Sequence, residues 1–187
     1  MTDKLTGLIC DQAQKIEADC DRASVRDSLA SARWDRINLW LGTFSAAAAA
    51  LAAFLAASNE TNLNVYAAAS ALLSAILGSI LTFLTPAKKS ENFHKFSNRY
   101  QALRDMFRVF IAIRCAEEGD VQLLKKEFQA LLAEKQKIDS DHPVIPERYY
   151  GKAVKIIQER IKRNIELKKL KQANKPAPES DTLRRVA

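Results

Sequence analysis

Charge is missing from one long stretch of this chain. Between Arg36 and Lys88 the only formal charge is Glu60, which excludes an ordinary solvated surface there. Glycine and proline are scarce, with five of each in 187 residues. That is too few for the turns of an all-β fold, and no segment alternates with period two for long enough to suggest a sheet. An all-α fold is expected. There are two histidines, His94 and His142, far apart and without a ligand-spaced partner. No P-loop, GxGxxG or HExxH is present, the glycines are all isolated, and no carboxylate, hydroxyl or thiol has a recognisable activating partner. Nothing points to catalysis, a metal or another cofactor. The three cysteines, Cys10, Cys20 and Cys115, never form a CxxC pair. They read as free reduced thiols in a reducing compartment rather than as a disulfide or a metal site.

What is present is two uncharged runs of membrane length, Ile37 to Ala57 and Val65 to Thr85, each of 21 residues. As helices each is about 31 Å long, matching a hydrocarbon core of about 30 Å. Ser58 to Asn64 is a short polar connection, and Pro86 with Lys88 and Lys89 closes the second run. A soluble bundle with an Ala-rich buried hairpin and a cleaved signal peptide are the rival readings. Two adjacent spans flanked by bases fit neither. Arg22, Arg26, Arg33 and Arg36 precede the first run, Lys88, Lys89, Lys95 and Arg99 follow the second, and the connection has no base. The positive-inside rule then places both termini in the cytoplasm. Arg33, Trp34, Arg36, Trp40, Lys88 and Lys89 are the expected interface anchors.

Each span has a bulky face and a face of small residues. In the second, Leu72, Leu73, Ile76, Ile80 and Phe83 oppose Ser70, Ser74, Gly78 and Thr85, with Leu81 interrupting the small side. In the first, Trp40, Phe44, Leu51 and Phe54 oppose Gly42, Ala46, Ala50 and their alanine neighbours. Lipid accepts Leu all round, so small-xxx-small spacings such as Gly42/Ala46/Ala50 and Ser70/Ser74/Gly78 point to close helix approach and to self-association beyond the hairpin itself. In a ring of copies, the Ser70, Ser74 and Thr85 stripe would line a narrow pore, with Leu81 as a hydrophobic constriction.

The four expected segments are an N-terminal amphipathic helix (1–36), the transmembrane hairpin (37–85), a cytoplasmic helical domain (86–171) and a disordered tail (172–187). The first carries a stripe of Leu5, Ile9 and Ile16. In the third, Phe93, Phe96, Tyr100, Leu103, Phe107 and Phe110 recur in steps of three and four. After a break at Glu117 to Asp120, Val121, Leu124, Phe128, Leu131 and Ile138 resume the pattern, giving an αα-hairpin. Asp141-His142-Pro143-Val144-Ile145-Pro146 is a stiff joint, and a last helix with Ile156, Ile157, Ile161 and Ile165 inward follows. Residues 147–187 carry twelve bases against five acids. Lys162, Arg163, Lys168 and Lys169 are therefore candidates for anionic lipid or another anionic ligand. Tyr149 and Tyr150 are the only aromatics among these bases, so nucleic acid is not the expected partner.

Two close spans, the basic and aromatic exit helix Phe93-His94-Lys95-Phe96-Ser97-Asn98-Arg99-Tyr100, an αα-hairpin and a proline-broken joint before Tyr149-Tyr150 together resemble the SLATT family of bacterial two-transmembrane effectors. The resemblance covers about residues 20–165 and is architectural. It implies a non-enzymatic, homo-oligomeric effector of anti-phage conflict systems in the bacterial inner membrane. On triggering, through a nucleotide second messenger or a sensor protein, such an effector forms a pore or perturbs the bilayer. A membrane scaffold that docks a cytoplasmic partner through its basic helices is the alternative.

Overall fold

The computed structural model describes residues 2–58, 63–115 and 121–173. Most of the connection around Glu60, the break at Glu117 to Asp120 and the tail from Asn174 lie outside them. Five helices follow in order: α1 (Thr2–Ala57), α2 (Asn64–Leu84), α3 (Pro86–Arg114), α4 (Val121–Asp141) and α5 (Arg148–Ala173). No strand occurs among the described residues. The all-α expectation holds.

α1 is unbroken for 56 residues, about 84 Å at 1.5 Å per residue. It runs from the charged N-terminal segment straight through the first apolar run, with no joint at Arg36. α2 and α3 lie antiparallel to it, end to end. Serine hydroxyls fix the register: Ser45 meets Ser74, Ser31 meets Ser90, and Ser97 donates to the Ser24 carbonyl. Ser24 and Ser31 are seven residues apart, as are Ser90 and Ser97, which is the spacing of a heptad seam.

In the charged half of this rod, α1 contributes a thin face of buried Ala13, Cys20, Ser24, Asp27 and Ser31. Against it α3 places Phe93, Tyr100, Leu103, Phe107 and Phe110, all buried. Small residues on one helix admit large ones from the other, and burial of each large side chain contributes about 1.5–3 kcal/mol. This corrects the expected stripe on the first helix. Ile9 and Ile16 only edge the core, while Leu5 is exposed.

α4 closes the other flank of α3 with Leu124, Ile138 and Phe128, whose ring stands 6.4 Å from Phe107 and 6.1 Å from Phe110. α5 then returns along α1, from the level of Arg33, which donates to the Tyr149 hydroxyl, to that of Asp21, which pairs with Arg160 at 3.5 Å. Among the described side chains of α5, Tyr149 and Ala153 are the buried ones. Ile161 and Ile165, expected inward, are exposed, because α1 and α3 already pair with each other and, among the described residues, α5 extends past them.

The apolar half is different. α1 and α2 are both long and apolar enough to cross a membrane, and 6% of the most apolar window in each is buried. A core hairpin of a soluble bundle would be mostly buried, so the exposure counts against that reading.

Candidate functional site

The small side of α2 is less exposed than its bulky side. Ala67 is buried, and Ser70, Ser74, Gly78, Leu81 and Thr85 are half-buried, whereas Leu72, Leu73, Ile76 and Phe83 are exposed, the last at 92%. The centre of this seam is a reciprocal serine clasp. Ser74 Oγ donates to the Ser45 carbonyl at 3.0 Å, and Ser45 Oγ donates to the Ser74 carbonyl at 3.2 Å. Hydroxyl-to-carbonyl bonds across two helices require close backbones, which small side chains allow.

The glycines play no part in that approach. A Cβ placed on Gly42 or Gly78 would meet no atom within 4 Å. Within the hairpin the serines make the close contact, and the space beside these glycines is open. Ala46 and Ala50, expected on the packing face, are exposed, as are Ala49 and Ala53. α2 covers the Ser45 and Ala48 side of α1 and leaves its alanine side bare.

Thr85 does something else again. Its φ of 40° and ψ of 53° place it in the left-handed region, the only non-glycine residue with positive φ among those described. There it caps α2, its N–H bonding the Leu81 carbonyl at 3.0 Å. Pro86 follows as the first residue of α3. A proline disfavours right-handed helix in the residue before it. The break therefore falls where the uncharged run ends, while α1 passes the same level uninterrupted. The residues expected as interface anchors sit around it. Lys89 Nζ lies 4.6 Å over the Trp34 ring, Trp40 stacks on Phe44, and Arg36 and Lys88 are exposed.

A second cluster escaped sequence reasoning. Asp27 is fully buried, and its carboxylate is 2.8 Å from His142 Nε2 and 3.2 Å from Arg26 Nε. His142 comes from the proline joint and packs edge-on against Phe96 with Tyr100 beside it. The Tyr100 hydroxyl donates to Asp139 at 2.7 Å, and Lys135 reaches the same carboxylate at 2.6 Å. Burial opposes ionisation of Asp139, but the bonds from Lys135 and Tyr100 outweigh it and hold the carboxyl below its ordinary value. Burial, then the bond to Asp139, pushes Tyr100 upward. Every polar group here is partnered, and the residues hold the joint between α4 and α5 onto α1. An adjoining cavity of about 290 Å³ is lined by Cys20, Arg26, Tyr100, Lys135, Asp139 and Tyr150 among others, with both charge signs represented. Among the described residues no group of three or more His, Cys, Asp or Glu side chains is placed to hold a metal ion.

The cysteine expectation is corrected for two of the three. Cys10 and Cys115 are joined by a disulfide across 105 residues of sequence, with Cα atoms 6.0 Å apart. The antiparallel register of α1 and α3 brings them together, and no local sequence pattern could report it. Cys20 is free and buried.

The bases Lys162, Arg163, Lys168 and Lys169 are all exposed. They lie past the α5 residues that reach the level of Glu17 and Asp21 on α1. From Glu17 to Ile37, where the uncharged run begins, is twenty residues, about 30 Å along α1. Comparison with family models, with curated proteins and with solved structures finds no match.

Proposed function

We propose that this chain is a membrane-embedded effector of the SLATT kind, without catalytic function, that self-associates in the bacterial inner membrane and opens or perturbs it on a signal received by its cytoplasmic helices. Both termini lie in the cytoplasm, since the bases flank the two apolar runs and the connection has none. The observation that carries the reading is the bare alanine face of α1 around Ala46 and Ala50, beside a hairpin seam already closed by Ser45 and Ser74. Lipid gives no reason to prefer alanine there, and neighbouring copies packing on it would. Because α1 is one continuous helix, a change in the cytoplasmic half would reach the membrane half without passing through a loop.

The basic end of α5 suits an anionic ligand, such as a nucleotide second messenger, or an acidic sensor protein better than it suits lipid. It stands about 30 Å from the apolar run, and salt screens exposed charges beyond about 8 Å. The scaffold reading is kept by one observation: Ser74 and Leu81, the candidates for a pore lining, face α1 within the chain.

Membrane potential in bacteria expressing the protein, with and without phage challenge, separates the two. The effector depolarises challenged cells, and Leu81→Ser at matched expression depolarises unchallenged ones. Potentials equal to the control in both, with oligomers intact, would leave the scaffold. Gly78→Leu probes the assembly itself, because a Cβ there meets no atom within 4 Å. It is expected to remove detergent-resistant oligomers and leave the monomer folded.

A further inference from the structure

The disulfide between Cys10 and Cys115 ties the N-terminal end of α1 to the C-terminal end of α3. Beyond it Leu5 and Leu8 are exposed. Ile9 beside it packs against the core, Ala13 one turn further in belongs to that core, and an ion pair between Arg108 and Glu17 at 3.0 Å follows. Both bonded cysteines are half-buried, so a small reagent can reach them. Disulfides persist in oxidising compartments, and those found where thiol reductants are maintained are transient or sensing. The orientation proposed above puts this one on the reducing side.

We infer that Cys10 and Cys115 form a reversible thiol–disulfide exchange site for a small-thiol reductant, and that reduction releases the first three turns of α1 from the end of α3. The inference rests on the proposed orientation. In the exchange a reductant thiolate attacks one Sγ, the bond between Cys10 Sγ and Cys115 Sγ breaks, and the other sulfur leaves as a thiolate and takes a proton. A second reductant thiol resolves the mixed disulfide. Two electrons pass to the protein, which ends with two thiols, and the reductant departs as its own disulfide. Cys20 stands outside the exchange because it is fully buried in the seam.

The test uses the full chain in sealed vesicles of both orientations, with reduced glutathione, which does not cross the bilayer, as the reductant. After treatment the protein is denatured and its thiols are counted by maleimide–polyethylene glycol mobility shifts. Untreated protein is expected to carry one adduct, at Cys20. Glutathione should raise this to three in inside-out vesicles and leave one in right-side-out vesicles. Tryptic cleavage after Lys4 and Lys15 should accelerate several-fold in the reduced form. Three adducts without reductant would overturn the inference, as would one adduct after reductant from either side. Reduction only in right-side-out vesicles would overturn it too, and that outcome alone would also reverse the proposed orientation. Unchanged cleavage after full reduction would show that the bond holds nothing closed.

Discussion

Asp27 is the most demanding residue in the charged half: a carboxylate with no exposure in a helix seam, held by His142 from 115 residues away and by its neighbour Arg26. Removing one partner of a buried pair leaves the other's desolvation uncompensated, at a cost of about 3–5 kcal/mol. Arg26 remains as a second partner, so His142→Ala is expected to destabilise by about 3 kcal/mol, the lower end of that range, read as a lowered melting temperature in detergent. A melting temperature equal to wild type would mean that the joint is not held there. Cys20 gives a pH signature. Burial raises its thiol from 9.0 to about 11, with Lys135 pulling down and Asp139, Asp19 and Glu17 pushing up. A group whose folded pKa lies above its unfolded one stabilises fully below the unfolded value and loses that contribution as pH rises. Stability should therefore fall between about pH 9 and pH 11, and Cys20→Ala should flatten that part of the profile. Tyr100 shifts in the same direction and leaves a residual slope. None of this cluster was readable in the sequence. Asp27 and His142 have no motif, and their meeting depends on how α4 and the proline joint return to α1.

At the scale of elements, α1 continues where α2 and α3 break, and the break is concentrated in Thr85. A left-handed backbone costs an L-residue about 1–2 kcal/mol, and a β-branched side chain is poorly suited to it. Thr85→Gly relieves that strain and loses some to chain entropy, so a gain of about 1 kcal/mol in detergent stability is expected. A loss would show that the Thr85 side chain contributes more than its backbone costs. The helices themselves were legible because charge and apolar periodicity mark them directly. The recurrence from Phe93 to Phe110 identified the buried face of α3 correctly, but it could not name the partner, which is mainly α1. The face of α1 that receives it, Ala13, Cys20, Ser24, Asp27 and Ser31, is too small and polar to register as an apolar stripe. On α5, Ile161 and Ile165 recur as a core face would, yet among the described residues they stay exposed, since periodicity reports a face and not its neighbour.

For the whole molecule, the uneven charge of the sequence divides one rod into two halves. One has a packed aromatic core, and the other shows bulky apolar side chains outward over two helices that are 6% buried in their most apolar windows. Burying an apolar side chain of that size is worth about 1.5–3 kcal/mol, so this half needs an apolar surrounding, and a bilayer of about 30 Å fits its length. The central claim, a membrane hairpin with both ends on the cytoplasmic side, is tested most directly by sided labelling. With the native cysteines replaced by serine, Ser58→Cys at the end of α1 and Lys95→Cys in α3 are each exposed to a membrane-impermeant maleimide in intact spheroplasts. Labelling is expected at position 58 and none at 95 until the cells are lysed. Labelling at 95 and not at 58, or recovery of the intact protein in the soluble fraction, would contradict it.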